Sequence, residues 1–278
     1  MALVMEHVGR EEMQQVAIEE WMAASPIYSL RMQRALGFGG DGVDTICKNL
    51  QLDIGAPHEF MDFRFRIDDE RHGEFWLAHC GALMDVEPMG EHFVHGMCHT
   101  IEDPTFDATA AATNPLAAIR PIHRPPRVPA GRTPHCRWRI DIVADGAAVT
   151  AHMHQAVVER SLAATAHLEI PDGTADEDGL ADYSGAFDPD FRLEGLSHRA
   201  LVIALQEVAL QSHLLLRALL LSVDRRLGPD VVASLTPRLV AGWAGLTAQR
   251  LSDAFDLTAN PDGLATMLAL HPMLAPRA

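Results

Sequence analysis

Three of the four cysteines in this 278-residue chain lie directly beside a histidine. The pairs are His79-Cys80, Cys98-His99 and His135-Cys136. Thiolate sulfur and imidazole nitrogen are the ligands that zinc prefers in tetrahedral sites. A cysteine and a nearby histidine can also form a nucleophile–base dyad. The pattern therefore indicates either a metal site or a catalytic thiol.

Neighbouring residues on a strand point to opposite faces, so only one member of each pair can face a common site. Two alternative ligand sets follow: the thiols of Cys80, Cys98 and Cys136, or the imidazoles of His79, His99 and His135. In the segment PHCRWRIDIV, Cys136 alternates in step with Trp138 and Ile140, which predicts that the cysteine side is buried. We therefore predict zinc held by Cys80, Cys98 and Cys136, with His99 as a further candidate ligand. Iron held by the imidazole set is the alternative.

Three further residues are candidates for catalysis around such a metal. Glu102 falls on the same face as Cys98 in a predicted strand, where its carboxylate would be a fourth ligand or a base. His123, in a proline-rich loop, is a second candidate for moving protons. Arg124 is a candidate for holding a substrate carboxylate through two parallel hydrogen bonds. Adjacency alone does not make Cys98 and His99 a dyad, because side chains of neighbouring strand residues diverge.

The elements that would position these residues change along the chain. Residues 8–56 show helical spacing of apolar residues, with a second helix predicted to begin at Ser25-Pro26 and a third capped by Asp41. Period-two alternation then predicts strands in DFRFRID, GEFWLAHC, HFVHGMCHTI and HCRWRIDIV. Asp145-Gly146 predicts a hairpin turn into a returning strand, AVTAHMHQAVV, whereas five prolines predict a loop over residues 119–134.

These patterns predict an α+β fold, with a helical leader, a central mostly antiparallel sheet and a C-terminal helical region. The predicted organisation is an α+β domain at 1–170 with a His/Cys-rich sheet, an acidic linker at 171–195 and the helical region at 196–278. The motif LGFGGDG formally matches a dinucleotide fingerprint, but a helix rather than a strand precedes it. We interpret Gly37 as part of a helix C-terminus and turn.

Composition narrows the classes of function. The net charge is −16, whereas a nucleic-acid-binding protein needs a cluster of basic residues, and the sequence shows none. The start of the chain has no basic segment followed by an apolar run, and four cysteines suit free thiols in a reducing cytoplasm. Residues 200–223 are very apolar but contain Glu207 and Arg217, which favours a buried core helix over a membrane span. The apolar C-terminal helices favour a homodimer.

The cysteines in GMCHTIEDPTF and PHCRWRI, with Cys80 before them, resemble the aminothiazoline-carboxylate hydrolase-like family over residues 10–156. More distantly they resemble vinyl-reductase-type sensor domains, which hold zinc through cysteines and a glutamate and bind small molecules. The resemblance implies an α/β sandwich with a pocket between sheet and helices, and metal ligation by Cys80, Cys98 and Cys136, with Glu102 nearby. The extra histidines, the Pro/Arg loop at 119–134 and the added C-terminal helices depart from the pattern.

The leading hypothesis is a zinc-dependent hydrolase that acts on a small ring or amide substrate bearing a carboxylate. Three thiolates plus a fourth protein ligand would close the zinc site, however, and a closed site is typical of a structural role. The first alternative is therefore a non-catalytic small-molecule binding or sensor protein with a structural zinc. The second is an iron enzyme that uses the imidazole set.

Overall fold

The computed structural model describes residues 2–168 and 178–276. The helices are α1 (Ala2–Val8), α2 (Arg10–Ala35), α3 (Val43–Gln51), α4 (Gly81–Val86), α5 (Glu91–His95), α6 (Glu102–Ala111), α7 (Gln155–Val158), α8 (Leu162–Thr165), α9 (His198–Leu227), α10 (Pro229–Phe255) and α11 (Pro261–Leu270). Short 3₁₀ turns lie at Glu87–Met89, Leu193–Gly195 and Pro272–Leu274, and a π-helical turn spans Gly96–Ile101.

Four strands form one antiparallel sheet in the order β1-β2-β4-β3. They are β1 (Met61–Ile67), β2 (His72–Cys80), β3 (Ala117–His123) and β4 (Cys136–Ile142). One face of β4 is buried through Cys136, Trp138 and Ile140, as the alternation predicts. This face packs with Val43, Ile46 and other residues of α3 in the main hydrophobic core. The α+β prediction is confirmed.

The segment HFVHGMCHTI is helical, and its prediction as a strand is wrong. It contains α5 and the π-helical turn, which leads directly into α6. A short apolar run with mixed spacing does not by itself distinguish a strand from a buried helix. The error matters for the site, because Cys98 and Glu102 are four residues apart and thus neighbours along one helical surface rather than on a strand.

Four other local predictions are also wrong. Helix α2 runs through Pro26, so no new helix begins at Ser25, and α3 starts after Gly42 without a side-chain cap from Asp41. Residues 149–154 are irregular and lead into α7, so the strand predicted after Asp145-Gly146 does not form. The predicted loop at 119–134 begins too early, because Pro121 lies within β3. That strand is at the edge of the sheet, where a missing backbone donor is tolerated.

Helix α2 stays continuous at Pro26 because tertiary packing stabilises it. Ile27 and Tyr28 of α2 are buried against Leu214 and Ala218 of α9. Arg31 also donates two hydrogen bonds to the carboxylate of Glu207, each 2.8 Å long. Packing of this kind outweighs one lost backbone hydrogen bond.

Helix α9 is the long apolar segment noted in the sequence. By length and composition it is the one described helix that could cross a membrane, and 44% of its most apolar stretch is buried inside the protein. Residues 171–177 of the predicted acidic linker lie outside the described residues. The described part contacts the helices: Lys48 of α3 donates hydrogen bonds to the carbonyl oxygens of Tyr183 and Gly185.

Candidate functional site

Three of the predicted ligands occur together in the main core. Cys80 ends β2, Cys136 begins the adjacent strand β4, and Cys98 lies in the π-helical turn. Their exposed fractions are 3%, 4% and 2%, in that order. The turn is able to pack close to α2 because residue 96 is glycine, since a Cβ there would lie 2.0 Å from the Gln14 amide nitrogen. A π-helical turn inside a helix often accompanies a functional site.

Burial keeps these thiols neutral. It raises the pKa of Cys80 to about 11, although the backbone N–H of Leu83 partly opposes the shift by donating a hydrogen bond to its sulfur. Burial also raises the pKa of Cys98 and Cys136 well above the usual range, and the charges of Glu102 and Cys80 raise both further. A neutral thiol is a poor nucleophile. This arrangement argues against a catalytic cysteine.

Among the predicted catalytic residues, Glu102 is the one that is buried with an unpartnered carboxyl oxygen in the described part of the chain. Its side chain is 8% exposed, and its Oε2 atom has no hydrogen-bond partner among the described residues. Burial raises its pKa to about 8, and the positive charge of Arg124 only partly offsets this effect. The carboxyl group interacts electrostatically with all three thiols of the cluster. Buried polar groups without partners are uncommon, which makes Glu102 a candidate for contact with a ligand.

Arg124 approaches this region but is already paired. Its guanidinium group forms an ion pair with Asp103 and lies 5.7 Å from the centre of the Trp138 ring. Its charge lowers the pKa of both Glu102 and Cys98. The contacts fit a residue that balances local charge better than a free clamp for a substrate carboxylate.

The two histidines predicted as site residues, His123 and His99, contact residues outside the cysteine cluster. His123 pairs across the sheet with Arg137, and that strand position faces away from the core side that holds Cys136 and Trp138. His99 contacts the carbonyl oxygen of Pro125 through Nε2 at 2.7 Å, and its ring stacks on His95. Burial lowers the pKa of both His99 and His123. Neither histidine joins the cysteine cluster through a hydrogen bond.

The donor atoms of the cysteine cluster suit zinc by chemistry, but their placement gives the zinc prediction no support. Across residues 2–168 and 178–276, no three His, Cys, Asp or Glu side chains are arranged to hold a metal ion. Zinc ligation by Cys80, Cys98, Cys136 and His99 therefore stays a prediction, as does the iron alternative.

A cavity of about 730 Å³ lies beside the cluster, between the helices and the start of β1. Its walls come from α2, from residues 53–63 at the start of β1, from α4 and from the face of α6 that carries Glu102, Thr105 and Thr109. Phe60 and Met89 also line it and are 40% and 46% exposed, so the cavity opens to solvent near them. This volume is typical of a site for a small molecule.

The cavity is apolar apart from a few polar groups, and the charged ones are acidic. The carboxyl groups are those of Glu20, Asp53, Asp85 and Glu102. Within the part of the chain that the structure describes, no lysine, arginine or histidine lines the cavity. Burial raises the pKa of Glu20 to about 8 and that of Asp53 to about 6.

Glu20 and Asp53 are the functional candidates that sequence reasoning missed. For Glu20 a signal is present: Met13, Ala17 and Trp21 form an apolar stripe along α2, and Glu20 lies within that stripe. A single acidic residue on the core side of an amphipathic helix is uncommon and indicates a specific role. Nothing in the local pattern around Asp53 indicates that it faces a cavity.

Comparison with known proteins finds no matching family model, no similar curated protein and no similar solved structure. The site is therefore interpreted from its own geometry.

Proposed function

We propose that this protein binds a small, mostly apolar molecule in the cavity between α2, α6 and β1. The observation that carries the proposal is the cavity itself, with a volume of about 730 Å³ and a lining rich in Met, Phe and Trp side chains. Binding there would remove apolar surface of the ligand from water, which is the main source of affinity in such sites. This is the small-molecule binding alternative of the sequence analysis, without the structural zinc.

The polar groups of the cavity support binding of a specific ligand rather than a void left by loose packing. Empty cavities in proteins are usually small and lined by apolar groups. Here Glu102 and Gln14 are each 8% exposed and both line the cavity. A few polar groups in an apolar wall are what fix the orientation of a ligand.

Binding of a neutral apolar dye tests the proposal. N-phenyl-1-naphthylamine fluoresces in apolar surroundings, and we expect a saturable increase with equimolar dye bound. Ala17→Trp would fill the cavity from α2, because Ala17 lines it and is 5% exposed. We expect this variant to lose dye binding. Gln15→Trp, on the exposed side of the same helix, is the matched control and should bind normally. Equal binding by both variants, or no saturable binding by the wild type, would contradict the proposal.

A zinc-dependent hydrolase is the second candidate, and one observation favours it. Glu102 lines the cavity and also interacts with the three buried thiols, so a metal held there would lie beside a bound substrate. When bound, zinc would supply Lewis acidity. Elemental analysis of the purified protein tests this candidate, which predicts equimolar zinc that is lost in Cys98→Ala and kept in His99→Ala. Metal-free wild-type protein would exclude it, and iron with a visible absorption band would favour the imidazole set.

A further inference from the structure

We propose that the ligand of this cavity is an organic cation, a protonated or quaternary amine attached to an apolar body. This inference rests on the proposed binding function and names the class of ligand. It comes from the combination of acidic groups and aromatic rings on the same walls. An ammonium group is attracted both by carboxylates and by the faces of aromatic rings.

The aromatic part of the lining is extensive. Five rings line the cavity: Trp21, Phe60, Phe63, Phe93 and Phe106. Two of them are packed against further rings in the core, since Phe63 lies 5.3 Å and Phe106 lies 5.3 Å from the centre of Phe75. Rings fixed in this way present their surfaces to the cavity without having to be ordered on binding, which lowers the entropic cost.

The carboxyl groups of Glu20 and Asp53 belong to one end of the cavity. Both acids lie near Tyr28: its hydroxyl group donates a 2.7 Å hydrogen bond to Asp53 Oδ2, and its pKa is raised by burial and then by the charges of Asp53 and Glu20. The backbone N–H of Gly55 donates to Asp53 Oδ1, also at 2.7 Å. These two donors leave Asp53 with lone pairs to spare, because a carboxylate offers about four acceptor sites.

Trp21 lies against the same acidic end. A Cβ placed on Gly55 would be 2.8 Å from Trp21 Cη2 and 3.1 Å from Asp53 Oδ1. The absence of a side chain at residue 55 therefore lets the indole ring of Trp21 and the carboxyl group of Asp53 lie close to each other. Such a pairing of ring and carboxylate is typical of sites that bind organic ammonium groups.

An unpartnered group on a second wall points to a ligand as well. Glu102 is more than nine-tenths buried, and its Oε2 atom lacks a partner among the described residues. A bound cation with N–H groups would supply the missing donors, whereas a carboxylate ligand would add a like charge.

A matched set of competitors tests the inference on the wild-type protein. Bound N-phenyl-1-naphthylamine is displaced with 2-naphthylmethylamine, 2-naphthylmethanol and 2-naphthoate, which share one apolar body and differ in charge. At about pH 8.5, above the pKa of Glu20 and of Asp53, both acids are ionised. There we expect the amine to displace the dye at about ten- to thirty-fold lower concentration than the alcohol, since a desolvated cation–π contact alone supplies about ten-fold or more. We expect the carboxylate to be the weakest of the three.

Variants assign the preference to the carboxyl groups. Glu20→Gln and Asp53→Asn should each reduce the preference for the amine over the alcohol by about three-fold or more, while dye binding persists. Glu11→Gln, an exposed acid on the same helix, should keep the full preference. Equal displacement by all three compounds in the wild type would overturn the cation inference and leave the binding function in place. Absence of dye binding would instead overturn the proposed function itself.

Discussion

Two adjacent residues of α2, Glu19 and Glu20, lie in two different regions of the molecule. Glu19 faces α9, where Ser222 donates a 2.6 Å hydrogen bond to it and Arg225 and Arg226 pair with it. Glu20 faces the cavity and has no such partners among the described residues. Burial acts on the pKa of both, but the hydrogen bonds and charges at Glu19 outweigh it and lower that pKa. The pKa of Glu20 is raised to about 8.

This contrast separates acids whose charge is balanced within the chain from acids that line the cavity proposed to bind a ligand. At the α2–α9 interface Glu19 and Glu207 each have an arginine beside them, so their charges are balanced within the chain. No lysine, arginine or histidine of the described chain lines the cavity, and the charge of Arg124 offsets only part of the effect of burial on Glu102. Titratable groups whose environment penalises their charge, and which lie in a cleft, mark candidate functional sites.

The greatest loss of stability should come from disrupting the balanced interface. Glu207→Ala removes the carboxylate that accepts both hydrogen bonds from Arg31, and the two side chains are only 6% and 8% exposed. It leaves an uncompensated buried guanidinium, which costs about 3–5 kcal/mol of unfolding free energy. Urea unfolding followed by circular dichroism measures the loss.

The double variant Arg31→Met/Glu207→Leu is the control for this effect. It removes both charges, so we expect it to recover most of the stability lost by the single variant. A double variant as unstable as Glu207→Ala would show that packing, and not the unpaired charge, dominates at this interface.

Glu20→Gln should act in the opposite direction and only at higher pH. The folded protein holds this proton up to about pH 8, whereas an unperturbed glutamate loses it near 4.5. Between those values the folded state binds more protons, so the free energy of unfolding falls as pH rises. The stability present below pH 4.5 is lost by pH 8. Because Glu20 is only half-buried, this loss of unfolding free energy is on the order of 3 kcal/mol. Urea unfolding at about pH 5 and about pH 8.5 should show a smaller loss in the variant.

Glu11→Gln is the matched control, because Glu11 lies on the same helix with a side chain that is 90% exposed. Its pH profile should coincide with that of the wild type. Asp53 and Glu102 also have raised pKa values, so part of the slope should persist in Glu20→Gln. A slope unchanged by Glu20→Gln would mean that those two acids carry it.

A smaller loss of stability is expected for Glu19→Gln. The amide can still accept from Ser222, but it no longer carries the charge that Arg225 and Arg226 balance. Hydrogen bonds to charged groups contribute about 1.5–3 kcal/mol, and partial exposure of Arg225 places this site at the lower end. The loss should be present near neutral pH and shrink as pH falls and Glu19 is protonated, because the pKa of Glu19 is lowered in the folded state. Unfolding at several pH values measures it, and an unchanged midpoint at neutral pH would contradict the interpretation.

The sequence predicts the buried face of a strand better than it predicts long-range packing or the position of the cavity. Alternation in β4 correctly identifies the buried side of Cys136 and Trp138, because strand periodicity is a local property. The helical path of 91–101 and the passage of α2 through Pro26 depend on long-range packing, which local spacing does not contain. The same is true of the cavity, since Glu20, Asp53 and Glu102 come from three separate segments.

An exposed ion pair on the sheet should contribute least to stability. Arg66 pairs with Asp68 at 2.9 Å and with Glu74 across the strands at 3.1 Å, yet its side chain is 51% exposed. Water and salt screen such contacts, so Arg66→Gln should leave the urea midpoint within the scatter of repeated measurements. A loss comparable to that of Glu19→Gln would mean that the presence of a partner, and not burial, decides the stability contribution of an acid. In that case the absence of a partner for Glu20 among the described residues, and not its burial, would be what distinguishes the cavity from the rest of the molecule.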